Sequence, residues 1–254
     1  MDFSVRFLSK MACLVGAIFV FIAPVSAGSD TIKEIDKNAV YTDQGKVFSL
    51  SELFWSERDV SFERLIGKQI KLDQSDFHEP QYKTNRYGDL RGKILVDGIG
   101  WLQSYWISRG TALWQGAGPY PLNLKKQLLE AERQAQEKKH GVWRYVHVET
   151  VQEVMELSNF NGFHIVHGKV VSVRKVRGTT YLNFGEDWRT DFTVAILPNY
   201  KRNFKGKDWN LDTLENKWIS IRGQLRSYNG PYLELYYPEQ VEFSDIEAKL
   251  IGAK

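Results

Sequence analysis

Cysteine is all but missing from this chain. The single one, Cys13, falls inside an N-terminal apolar run. The remaining sequence therefore has no thiol for a disulfide, a thiolate metal site, a lipid anchor or a cysteine nucleophile. That apolar run, residues 11–22, is only twelve residues long, well short of the roughly 20 that span a bilayer. A large net charge is missing too: 34 Lys and Arg stand against 31 Asp and Glu. Such a balance excludes a polybasic nucleic-acid wrapper, so any nucleic-acid site has to be a local patch. There is no Gly-x-Ser-x-Gly elbow, no P-loop and no dinucleotide fingerprint, which removes three common enzyme classes. The five histidines have no zinc-like spacing. His164 and His167, three apart in a strand-like run, point to opposite faces.

What is present begins with a targeting pattern. Arg6 and Lys10 precede the apolar run, and Val25 and Ala27 close "APVSA". A charged start, a short apolar middle and a small-residue exit predict a secretory signal peptide over residues 1–27, cleaved near Ala27. The expected location is periplasmic or secreted, with no stable membrane anchor. Setting aside Asp2, Arg6 and Lys10 leaves 32 basic against 30 acidic residues. About 227 residues remain, enough to bury a core without disulfides, in two domains.

Residues 39–54 read as two strands around the turn "DQG", and "FERLIGKQIKL" leads into another strand. A polar loop covers residues 73–89. "RGKILVDG" reads as a strand, "IGWLQSYWISRG" as a short helix and "TALWQG" as a brief strand. The clearest helix follows, where Leu124, Leu128, Ala131 and Ala135 recur at helical spacing between Pro121 and Gly141. Residues 146–161 read as a helical connector. From Gly162 the chain turns to five strand-like runs rich in β-branched and aromatic residues. That pattern suggests a second small β-barrel of OB type over residues 162–254. The expected class is mainly β with helices (α+β).

Residues 85–143 carry a specific pattern. Arg86, Tyr87 and Gly88 precede a strand, Asp97 and Gly98 form a turn, and Gly110 ends a helix. Ala131, Glu132 and Ala135 lie in the next helix, with Gly141 and Trp143 after it. This resembles the second half of the staphylococcal nuclease-like (thermonuclease) family. The resemblance implies a five-stranded OB-type barrel with three helices over residues 28–145. It further implies Ca²⁺ held by carboxylates, and two arginines that grip the phosphate.

The positions where the family keeps that chemistry are altered. In the Asp-Gly-Asp-Thr segment Asp36 remains, but Asn38 and Ala39 replace the second Asp and the Thr. The first arginine falls on Ser49. In the Asp-x-Pro-Glu turn Phe54 takes the Asp position and only Glu57 remains; the second arginine falls on Asp89. Losing one positioned electrostatic donor costs about 10²–10³ in rate, and Asp89 adds repulsion of a phosphate. "KLDQSDFHEP" offers Lys71, Asp76 and Glu79 as substitutes, but the acids stand only about ten residues before Tyr87, too close for the family's intervening strand. Arg91 shares the face of Asp89 if the two lie on one strand, and is then a candidate for holding a phosphate.

From Gly162 to Trp209, nine basic residues stand against four acidic ones, with Trp188, Tyr200 and Phe204 among them. Cations interleaved with aromatics suit stacked bases and tracked phosphates on an OB surface. Trp188, Arg189, Tyr200, Lys201 and Arg202 are the candidates there; the bland alternative has Trp188 and Phe204 pinning loops to the barrel. Three functions remain open. The first is a binding module for single-stranded nucleic acid or an envelope partner, its catalytic residues lost and no cofactor needed. The second is a working calcium-dependent nuclease with relocated residues. The third is a structural or adaptor protein.

Overall fold

The computed structural model describes residues 30–55, 60–116, 120–204 and 210–243. The expected signal peptide, Glu57, Lys205 and Lys207 lie outside the described residues. Among the described residues no helix is long and apolar enough to cross a membrane.

The first half contains β1 (Asp30–Ile35), β2 (Ala39–Thr42), β3 (Val47–Ser49), β4 (Leu53–Trp55) and β5 (Gln69–Asp73). It continues through β6 (Lys93–Val96), β7 (Gly100–Trp101), α1 (Leu102–Ser108), β8 (Ala112–Trp114) and α2 (Leu122–Glu137). Six strands form one sheet in the order β3-β2-β1-β5-β6-β7, and β4 pairs with β8 apart from it. A single parallel bridge links the β3 edge back to Leu90, just ahead of β6. Two hydrogen bonds of 2.8 Å make it: Ser49 N–H to the Leu90 carbonyl and Leu90 N–H to the Val47 carbonyl.

The connector holds β9 (Glu149–Thr150) and α3 (Val151–Met155), a single turn or so of helix closed by a Thr150–Glu153 capping box. The second half comprises β10 (Gly162–Lys169), β11 (Ser172–Val176), β12 (Thr179–Asn183), β13 (Thr193–Ile196), β14 (Trp218–Ser227), β15 (Pro231–Glu234) and β16 (Val241–Phe243). Its sheet runs β11-β12-β13-β15-β14-β10-β9, with β16 also on β14. The molecule is thus mainly β with few helices. Neither sheet closes on itself as a continuous ladder.

The expected pattern holds for α2: Leu124, Leu128 and Ala135 are buried along one stripe. Its stop differs, because Lys139 (φ 51°) takes the left-handed residue expected of Gly141. Gly141 serves a different need. A Cβ there would lie 2.4 Å from the Gly110 carbonyl oxygen, so the two backbones touch only because both residues are glycine.

The strand expected to carry Asp89 and Arg91 together starts later, at Lys93. Asp89 instead closes a turn with Asn85, whose Oδ1 accepts from Asp89 N–H (3.0 Å) and whose Nδ2 donates to Asp89 Oδ2 (2.8 Å). Gln74 Nε2 then ties the Arg91 carbonyl to that of Lys83. Two backbone bonds, Asn85 N–H to the Asp89 carbonyl (2.9 Å) and Arg91 N–H to the Lys83 carbonyl (2.8 Å), flank the Thr84–Leu90 bridge, so Asp89 and Arg91 belong to a short hairpin ahead of β6.

Each half has its own apolar cluster, around Phe48, Leu50, Ile94 and Trp114 in the first, and Val166, Leu182, Phe192 and Leu233 in the second. A third cluster spans the seam between them: Leu113, Ala135 and Trp143 meet Ile165 and Phe163. Arg222 of β14 crosses the same seam, 3% exposed. Its guanidinium donates to the Trp114 carbonyl (2.6 Å), to Glu132 of α2 (2.9 Å) and to Glu242 (2.5 Å).

Candidate functional site

The positions at which the family resemblance places a nuclease site are occupied by structural contacts. Asp36 Oδ1 accepts from the N–H groups of Asn38 (2.6 Å) and Ala39 (2.8 Å), holding the β1–β2 turn. Its other oxygen accepts from the Tyr41 hydroxyl (3.3 Å). Asp36 most of all, then burial, then Glu34 and Asp89, raise the pKa of that hydroxyl. Asp36 and Asp89 thus both act on the Tyr41 hydroxyl. Ser49 is only 1% exposed and bonds to Ser51. Phe54 is carried away from this corner and stacks on Phe163 of the second half, centroids 4.3 Å apart and planes at 13°.

The substitute set fares no better. Asp76 accepts from Lys93 (2.9 Å) and Asn123 (2.7 Å). Glu79 meets only Gln81, and Lys71 lies on β5. Among the described residues, no three carboxylates, imidazoles or thiols converge.

The Arg91 charge is felt by a buried polar group that sequence reasoning missed. Glu52 is 3% exposed and accepts from Gln103 Nε2 (2.8 Å). Burial pushes its carboxyl up to about 7, against the opposing pull of the Gln103 bond and the Arg91 charge. Tyr120 and Glu239 also feel the Arg91 cation. No local signal in "SLSELF" marks Glu52 as buried; its partner is 51 residues away.

The second half holds an open groove of about 650 Å³. β11 and β12 supply Arg174, Lys175 and Tyr181, and loops 185–191 and 228–230 supply Trp188 and Tyr228. Both rings at the mouth are open to solvent, Trp188 at 54% and Tyr228 at 62%. Trp188 is thus no loop pin, whereas Phe204 is buried in the core. The Arg189 guanidinium sits over the Trp188 ring at 4.5 Å. Lys175 is paired with Asp212 (2.6 Å), while Arg174 is exposed and has no carboxylate partner among the described residues. The floor is polar and fixed: Asn183 donates to Ser172 (3.1 Å) and accepts from Thr193 (3.4 Å).

The loops are held in place. Asp187 Oδ1 accepts from Arg189 N–H (3.1 Å), and Asp191 Oδ2 from Asp187 N–H (2.7 Å). Gly230, at φ +94°, lets the two loops touch: a Cβ there would fall 2.1 Å from the Thr190 oxygen. Tyr200, Lys201 and Arg202 are not among the residues lining the groove. Tyr200 packs edge-on against Tyr236 at 4.8 Å, and Lys201 and Arg202 lie on the short turn that Phe204 anchors. The structure thus gathers Trp188 and Arg189 at the groove with Arg174 and Lys175, which sequence reasoning noted only as part of a charge count. Compared with protein-family models and with curated proteins, the chain matches none.

Proposed function

We propose that this is an exported, non-catalytic binding protein of two OB-type barrels, the first of staphylococcal nuclease type, which holds single-stranded nucleic acid in the groove of the second. The parallel Phe48–Leu90 bridge supports a barrel in the first half. In the second, β10 and β11 are separated by two residues and pair with opposite edges, β14 and β12. One bent strand would join those edges. The groove then occupies the face and the strand 4–5 loop by which OB folds take oligonucleotides. Loss of catalysis is supported by the bonds that engage Asp36 and Asp89, by the burial of Ser49 and by the ring of Phe54 in the seam.

The observation that carries binding is the pair of solvent-open rings beside an exposed Arg174, which has no carboxylate partner among the described residues. Flat rings stack bases of any sequence, and a nearby cation meets the phosphate. The test is to incubate the purified protein with a labelled single-stranded oligonucleotide and Ca²⁺, reading retention and cleavage together. Retention should fall with salt, with a log–log slope of about −0.7 per phosphate contact, and cleavage should not exceed background. Calcium-stimulated cleavage would establish the nuclease reading instead. A folded protein that retains nothing at low salt would leave the adaptor reading.

A further inference from the structure

A row of tyrosines leads out of the groove. On β15, Leu233 and Leu235 turn into the core, so Tyr232, Glu234 and Tyr236 share the opposite face, and Tyr232 lines the groove. The chain stays extended past the strand: Leu235 N–H bonds the Ala195 carbonyl (2.9 Å), and Tyr237 stands at φ −141°. Tyr236 therefore lies about 13 Å beyond Tyr232, four residues at roughly 3.3 Å each. Ring contacts run the same way. Tyr228 at the groove mouth meets Tyr232 edge-on at 5.3 Å, and Tyr236 meets Tyr200 edge-on at 4.8 Å. Lys201 and Arg202 follow Tyr200 directly, on the turn Lys201–Phe204.

One acid stands in this row, Glu234, and its charge is already matched. Its carboxylate accepts from Arg226, from the Tyr232 hydroxyl (3.3 Å) and from the Tyr236 hydroxyl (3.1 Å). Its side chain is only 13% exposed, and the Arg226 guanidinium also covers the Tyr232 ring at 5.2 Å. At the far end the balance is positive. Residues 197–203 contain no acid, and Lys201 and Arg202 have no carboxylate partner among the described residues. We infer that the site continues past the groove along β15 to this turn, where Lys201 and Arg202 meet phosphates of the same strand. The inference rests on the groove's taking single-stranded nucleic acid, and adds that the ligand is longer than the groove. It places the site above the short end of the roughly 4–16 nucleotides that such barrels cover.

The probes are labelled oligothymidylates of four and of twelve nucleotides, titrated by anisotropy across a salt series. The proteins are the parent, the double variant Lys201→Gln/Arg202→Gln, and Arg202→Gln alone. These substitutions touch a surface turn, so melting temperatures should hold. The short strand fills only the groove and should bind all three proteins with one affinity and one salt slope. The long strand gains registers as well as length, which raises affinity without new contacts, so the slope decides. On the parent its log–log slope should be steeper than that of the short strand by about 1.4, two phosphates at about 0.7 each. The double variant should lose that difference, and Arg202→Gln about half of it. Equal slopes for the two lengths, or a long-strand slope unchanged in the folded variants, overturn the extension and leave the groove reading standing. Binding of neither strand at low salt overturns both.

Discussion

At the residue scale, Trp188 and Glu52 are opposite cases. Trp188 stands in solvent with only Arg189 over its ring. Trp188→Ala should leave the melting temperature within the small range of surface substitutions while weakening oligonucleotide binding by roughly 1–3 kcal/mol. Anisotropy titrations beside thermal melts separate the two effects. Glu52 is buried, and its carboxyl is raised in the folded protein to about 7 from an ordinary 4.5. Between those values the folded state binds more protons than the unfolded one, so this group makes stability fall as pH rises, with the full penalty above about 7. Glu52→Gln keeps an acceptor for Gln103 and removes the ionisation. It should be near neutral at pH 5 and stabilising at pH 8, by up to about 3 kcal/mol, as urea denaturation at the two pH values will show. Only the first residue was legible. "GEDWRTD" exposes its ring because Gly, Asp and Thr build a loop, whereas the burial of Glu52 depends on Gln103, 51 residues away.

At the element scale, the groove exists because two loops touch. Gly230→Ala forces a Cβ against the Thr190 oxygen from a backbone angle that L residues rarely adopt. The variant should lose about 1–3 kcal/mol of stability and lose oligonucleotide binding out of proportion to Trp188→Ala. A Gly230→Ala protein that binds normally would show that loop contact does not shape the groove. Elements with a clean period were legible: α2 from its apolar stripe, and the strands after Gly162 from their β-branched runs. β1 was not picked out, because "DTIKEI" interrupts its apolar positions with charges and sits beside an expected cleavage site. Asp89–Arg91 was read as part of the strand that begins at Lys93, whereas it forms its own short hairpin, bridged at Leu90 to Thr84 and Phe48, partners no local pattern reveals.

At the scale of the whole molecule, the two halves are held by a buried ion cluster. Glu132 and Arg222 are 90 positions apart, and on α2 and β14 taken singly each reads as an ordinary surface charge. Arg222→Met removes one partner and leaves Glu132 buried and uncompensated, which should cost about 3–5 kcal/mol. Glu132→Gln in the same chain retains an acceptor for the Trp114 N–H and should recover much of that loss. Urea unfolding followed by both far-ultraviolet dichroism and tryptophan emission is the measurement. The single variant should separate into two transitions where the parent shows one.

The Phe54–Phe163 stack bears on the history open to this chain. A carboxylate at position 54, where the resembled family has the Asp of its Asp-x-Pro-Glu turn, would have to stand against an aromatic ring of the other half. Placing one there would mean first undocking that half, so single substitutions lead through a less stable intermediate. The seam works as a ratchet: once the ring is in place, a charged residue can take position 54 only after the two halves part.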